Sequence, residues 1–302
     1  MSDTEKPDDK KKKGFVKKAF DNVRGGIRRA GIVIQRGSVD KALIYSASLG
    51  HETRMAFLLA SGANPKTQGS APMKAAAEAG QLGAMRMLIR HGARADDDHS
   101  AALHVAIASQ QREAVKFLLQ RGADIHALDE KAIRIAASLN NMRMMEEMVR
   151  AKADLNTGGG EPLRIAASKG HEHIVRLLAM SGADVSLGDH AALYWASRNG
   201  HKNAAEALVA AGSDINARNG LIIDVAAAFG HVRVLEYLLQ KGGILPEDGG
   251  LALKLAKQNN QAATIEVIEK HLAGKKPPAA APDIDLPPPI TPPPPPPHIT
   301  GP

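Results

Sequence analysis

The segment Asp96-Asp97-Asp98-His99 sets three carboxylates and an imidazole in a row, a donor set that suits a hard divalent cation. The plainer reading of the same residues is a solvated turn, in which Asp side chains satisfy nearby backbone amides. Gly158-Gly159-Gly160 precedes an expected helix start, where backbone amides can cradle an anion. No Lys-Ser/Thr pair follows it and no strand signal precedes it, so it reads as a tip rather than a phosphate loop. Ser168 and Ser197 lie near histidines, but neither has the strand-to-helix elbow that exposes a serine nucleophile. Cysteine is absent from all 302 residues, which removes disulfides, thiolate metal sites and cysteine nucleophiles together. No catalytic constellation emerges, so the expectation is a non-catalytic protein with no cofactor and no bound metal.

Whatever these groups do, short helices must position them. A step of 30 from Gly50 meets Gly80, Gln110, Asn140, Gly170, Gly200, Gly230 and Asn260. Four residues earlier the frame is Ser46, then Ala76, Ala106, Ala136, Ala166, Ala196, Ala226 and Ala256. Eight residues later it is Leu58, Leu88, Leu118, Met148, Leu178, Leu208, Leu238 and Ile268. A third frame carries Gly62, Gly92, Gly122, Lys152, Gly182, Gly212 and Gly242. Self-similarity at such a period is the signature of a repeat array. Each unit reads as two helices shorter than the roughly 12–15 residues needed for marginal stability in water, so neither stands alone. Stacking supplies the missing core, with alanine allowing close approach and leucine filling between layers. Glycine or asparagine ends the first helix in the left-handed conformation, and Gln110 and Lys152 depart from that pattern and imply local strain. Helix starts are expected to be capped by Ser70, Ser100, Asp129, Asp189 or Asn219. Trp195 shares a frame with Val105, Ile135 and Ile165 and is expected to pack in the core.

Residues 161–185, "EPLRIAASKGHEHIVRLLAMSGADV", resemble the ankyrin repeat. Pro162-Leu163, Ala166-Ala167, Gly170-His171, Leu177-Leu178 and Gly182-Ala183-Asp184 carry the likeness, which extends over about residues 42–274. The resemblance implies an all-α, helix-turn-helix solenoid of about eight 30-residue repeats. The family's usual repeat is longer by about three residues, which implies shortened finger loops here. The family's Thr before Pro-Leu is absent, and its His appears once, at His104. His51, His171, His201 and His231 fall where ankyrins use histidine for hydrogen bonds between units.

The resemblance further implies binding of another protein on the concave side, at the ends of the first helices. The variable positions there include Arg134, Arg164, Lys169, Tyr194, Arg198, Asn199, Asp224 and Phe229. Charge and aromatics concentrate in repeats five to seven, the composition favoured at interface hot spots.

The two ends differ from this body. Residues 1–36 hold eleven Lys or Arg and five Asp or Glu, which accounts for most of the chain's +7. Phe15, Val16, Ala19, Phe20, Val23 and Ile27 follow helical spacing, with Lys11, Lys12, Lys13, Lys17, Lys18, Arg28 and Arg29 around them. Three uses stay open: a cap over repeat one, an interfacial helix on anionic membrane, or a nucleic-acid arm. The nucleic-acid signal is the weakest, since charge blocks are commonly just solvated. Residues 275–302 hold thirteen prolines in 28 positions and read as a disordered, polyproline II-like tail. Such a tail is either a ligand for a polyproline-binding module or a spacer. The organisation expected is an arm at 1–41, an array at 42–274 and a tail at 275–302. With no secretory signal and no apolar run of about 20 residues, the expected location is cytoplasmic, with peripheral membrane contact through the arm as the alternative.

Overall fold

The computed structural model describes residues 36–275, which form sixteen α-helices in eight antiparallel pairs. The first helices of the pairs are α1 (Arg36–Ser48), α3 (Thr67–Glu78), α5 (Asp97–Ala108), α7 (Ala127–Ser138), α9 (Thr157–Ser168), α11 (Leu187–Arg198), α13 (Leu221–Ala228) and α15 (Gly250–Gln258). The second helices are α2 (Glu52–Ala60), α4 (Leu82–Arg90), α6 (Arg112–Gln120), α8 (Met142–Arg150), α10 (Glu172–Met180), α12 (Lys202–Ala210), α14 (Val232–Gln240) and α16 (Ala262–Lys275). The basic-arm residues from Lys11 to Arg29 and the proline-rich tail beyond 275 lie outside the described residues.

The alanine frame explains the stacking. Ala76, Ala106, Ala136, Ala166, Ala196, Ala226 and Ala256 are all fully buried. With only a methyl group between them, neighbouring first helices close up more tightly than the second helices do. That difference makes the first-helix row the inner, concave side. The leucine frame fills the layer behind it, with Leu88, Leu118, Met148, Leu178, Leu208, Leu238 and Ile268 fully buried. One continuous core runs the length of the stack, so each repeat depends on its neighbours.

Glycine ends both helices of a pair, for different reasons. Gly170 has φ of 70°, and a Cβ there would sit 2.6 Å from the His201 ring. Its amide bonds Ala167 O while the His171 amide bonds Ala166 O, the paired closure of a Schellman end. At Gly182 a Cβ would meet nothing, so the φ of 98° alone selects glycine. The departures behave accordingly. Gln110 and Lys152 are held at φ of 57° and 60°, so the left-handed strain expected of them is present.

Two expectations are overturned. Asn140 does not adopt the left-handed cap, because Leu139 before it is extended, at φ −96° and ψ 137°. Asn141 takes over instead, accepting a hydrogen bond from the Met144 amide as a side-chain cap of α8. The first helices, by contrast, are not capped by Ser70, Ser100, Asp129, Asp189 or Asn219. Those residues lie in a left-handed turn of three residues, such as Asp98, His99 and Ser100 at φ 52–56°, that precedes the right-handed helix. The turn closes through backbone, as where the Ser100 amide bonds Asp96 O. This frees the side chains to bond across repeats: Ser100 Oγ accepts from the Asp124 amide at 2.8 Å. Aspartates then fold the fingers into Asx turns, with Asp184 Oδ1 accepting from the Ser186 amide at 2.9 Å.

Candidate functional site

Every first helix buries one side against its neighbours and leaves the other on the concave face. On α11 the outward positions are Tyr194, Trp195, Arg198 and, at its end, Asn199; on α13 the matching end residue is Phe229. The aromatic rings and the arginine meet. Tyr194 and Trp195 stand edge to face, with centroids 5.6 Å apart. The Arg198 guanidinium lies 5.2 Å from the Trp195 ring centre and 4.8 Å from that of Phe229, bridging repeats six and seven. Phe229 stacks in turn on His231 and remains 47% exposed. On the finger side Arg218 covers Tyr194 at 5.1 Å while its Nε donates to Asp189 O at 2.7 Å.

Arg198 makes no ion pair with any described residue, so its guanidinium is held by two ring faces and solvent alone. Cation–π contact of this kind orients the group without consuming its in-plane donors, which stay open to a carboxylate. Repeats four and five are arranged otherwise. Arg134 and Arg164 both bind Glu161, at 3.0 Å and 3.2 Å, and Arg134 also donates to Leu128 O.

The remaining predicted positions are bonded to the repeat before or half-buried. Lys169 Nζ donates to Ser138 O at 3.3 Å, and the Asn199 amide donates to Ser168 O at 2.7 Å. The His201 ring pairs with the same Ser168 carbonyl at 3.0 Å, and the His231 ring with Arg198 O at 2.8 Å. These bonds, with that between the His171 ring and Ala137 O at 3.3 Å, fasten repeats five, six and seven each to the one before, as expected of His171, His201 and His231; His51, in the first repeat, is exposed and makes no such bond among the described residues. Asp224 is half-buried; burial raises its carboxyl above the usual range, and a hydrogen bond from the Ala252 backbone offsets part of that.

Trp195 was assigned to the core and is not there. It is half-buried on the concave face, because its frame lies on the boundary between the buried and outward sides of the helix. Glu161 and Arg218 were also missed: Arg218 acts across repeats, and the i,i+3 spacing of Glu161 to Arg164 marks only one of its two partners, Arg134 lying in the repeat before. The aspartate run at 96–98 is tied up by cations: Asp96 by Arg94, Asp97 by Lys66 and Asp98 by Lys74. Among the described residues no group of three or more His, Asp or Glu side chains is placed to hold a metal ion.

A family model described as "Ankyrin repeats (3 copies)" matches residues 39–129 and again 131–219. The chain belongs to the ankyrin-repeat family. Among solved structures, the ankyrin repeat domain of human ASB11 superposes with a TM-score of 0.57 and 22% identity, over 68% of this chain and 99% of that one. At that identity the likeness speaks for the ankyrin fold alone. No curated protein matches the chain. Ankyrin repeats generally mediate protein–protein interaction and are typically non-catalytic. Among the described residues no helix is long and apolar enough to cross a membrane.

Proposed function

We propose that the protein is a non-catalytic adaptor that binds a partner protein on the concave face of its ankyrin array, centred on repeats six and seven. The observation that carries this reading is Arg198, fixed between Trp195 and Phe229 with no ion-paired carboxylate among the described residues. A preformed surface loses little conformational entropy on docking, and a rigid stack of helices supplies one. Arginine and aromatic side chains brought together in this way have the composition of a binding hot spot. The array at 42–274 is the binding body in this scheme, with the arm at 1–41 and the tail at 275–302 as appendages. The test is affinity purification followed by mass spectrometry, comparing the full chain with the variant Tyr194→Ala, Arg198→Ala, Phe229→Ala. Loss of a specific partner from the variant supports the reading. A variant that folds and retains every partner overturns it.

A further inference from the structure

Three features of the site at repeats six and seven point to the shape of its ligand. Two aromatic rings, the half-buried Trp195 and the 47% exposed Phe229, flank a cation that lies over one face of each. Aromatic-lined grooves are how proteins hold polyproline II segments, whose rings pack flat and whose ordering cost is already low. The spacing also agrees. Packed helices lie about 8–10 Å apart, and one turn of polyproline II rises about 9 Å. A prolyl segment laid across the first helices therefore presents the same side to each successive repeat.

The chain carries such a segment. Asp283-Ile284-Asp285-Leu286-Pro287-Pro288-Pro289 joins a proline run to the only two acidic residues beyond 275. Its charge is opposite to that of Arg198. The last described helix, α16, ends at Lys275 in repeat eight, one repeat beyond Phe229 and two beyond Trp195. Ten residues lead from Lys275 to Asp285, a reach of roughly 31 Å at polyproline II rise. Because α16 runs antiparallel to the first helices and ends away from Arg198 and Phe229, the tail must cross about 10–20 Å along the stack and about 20 Å along the helices, a combined span of about 22–28 Å.

We infer that residues 283–289 dock in cis on the Trp195–Arg198–Phe229 surface, prolines on the rings and Asp285 on the guanidinium, and so compete with the external partner. The inference rests on the partner face proposed above. Tethering makes a weak contact effective: a short linker supplies about 1 mM local concentration, so a segment of about 0.1 mM intrinsic affinity is bound about nine-tenths of the time. The external partner then sees an affinity lowered about tenfold.

Trp195 is the chain's only tryptophan and reports directly on the site. Acrylamide quenching of its fluorescence is compared between the full chain and two full-length variants, Asp283→Lys with Asp285→Lys, and Pro287→Ala with Pro288→Ala and Pro289→Ala. Both variants are expected to be quenched at least about twofold more strongly, independently of protein concentration, as displacement of a mostly bound tether requires. A synthetic peptide of residues 277–302 added to either variant is expected to restore the protection. Equal quenching in all three proteins overturns the inference, and protection that vanishes on dilution assigns the tail to a second copy and overturns the cis assignment. Neither result touches partner capture, which is read separately by affinity purification with the Tyr194, Arg198 and Phe229 variant.

Discussion

Repeat four and the junction of repeats six and seven are built on one plan and spend their charges in opposite ways. In repeat four the arginine of the concave face, Arg134, is closed off by Glu161 of the next repeat. On its second helix Glu147 is only 5% exposed and receives Arg112 at 2.7 Å and Arg150 at 2.9 Å. Each of these charges has an internal partner. In repeat six Arg198 faces outward between two aromatic rings, with no ion-paired acid among the described residues. The stack tolerates both arrangements because its core frames are fully buried in either place, Ala136 and Met148 in repeat four and Ala196 and Leu208 in repeat six, leaving the outward frames to vary. An internally paired charge is part of the scaffold, whereas an oriented and unpaired one is available to a ligand.

The sharpest way to break this contrast is to measure partner affinity with each kind of arginine removed. Arg198→Ala is expected to weaken binding of the captured partner by about 30-fold or more, the loss of a hot-spot residue at roughly 2 kcal/mol. Arg134→Ala with Arg164→Ala is expected to change it by less than about twofold, since these side chains are already satisfied and lie outside the centre. Isothermal titration calorimetry decides between them, and equal losses would erase the distinction.

The stability side of the contrast inverts the order. Arg198→Ala removes an outward group and should shift unfolding free energy by no more than about 0.5 kcal/mol. Glu147→Ala removes a buried acceptor and strands Arg112 and Arg150 without their partner, a loss of about 1–3 kcal/mol in urea denaturation. The pH dependence separates charge from packing. Burial raises the Glu147 carboxyl, but the hydrogen bonds and charges of Arg112 and Arg150 outweigh it and hold the group below its ordinary 4.5. A lowered folded-state value means the contribution is complete above pH 4.5 and is lost as pH falls through the lower folded value. Wild type and Glu147→Ala should therefore converge in stability as the medium becomes acid, and a gap that persists unchanged at low pH would assign the effect to packing.

Much of this was legible from the chain. The 30-residue period, the buried alanine and leucine frames and the glycine ends follow from residue type, because helices this short force the same contacts in each unit. The left-handed turns were not legible. Leu128, Asp129 and Glu130 adopt them at φ 54–58° although none is glycine, so the stack imposes a conformation that local propensity opposes. Trp195 was misplaced because its frame hosts Ile165 against the core in one repeat and a half-buried ring outside the core in the next. Glu161 escaped notice because its effect depends on which repeat its neighbours' arginines reach. The position of Tyr194, Arg198 and Phe229 on one face was legible; that Arg198, unlike Arg134 and Arg164, has no ion-paired acid among the described residues was not.

The smallest expected effect probes what the scaffold repeat tolerates. Lys152 ends α8 where six other repeats place glycine at positive φ, and it sits at φ 60°. An L-residue there carries a Cβ clash that glycine lacks, costing roughly 1–2 kcal/mol, part of which is returned because glycine is freer in the unfolded chain. Lys152→Gly is therefore expected to stabilise the protein by about 0.5–1 kcal/mol in thermal or urea unfolding. The Lys152 side chain reaches neither the Glu147 cluster nor the concave face, so partner affinity should not move. A drop in stability would mean that the lysine makes a contact stronger than its backbone strain. In that event repeat four would owe its rigidity to more than the paired charges around Glu147 and Glu161.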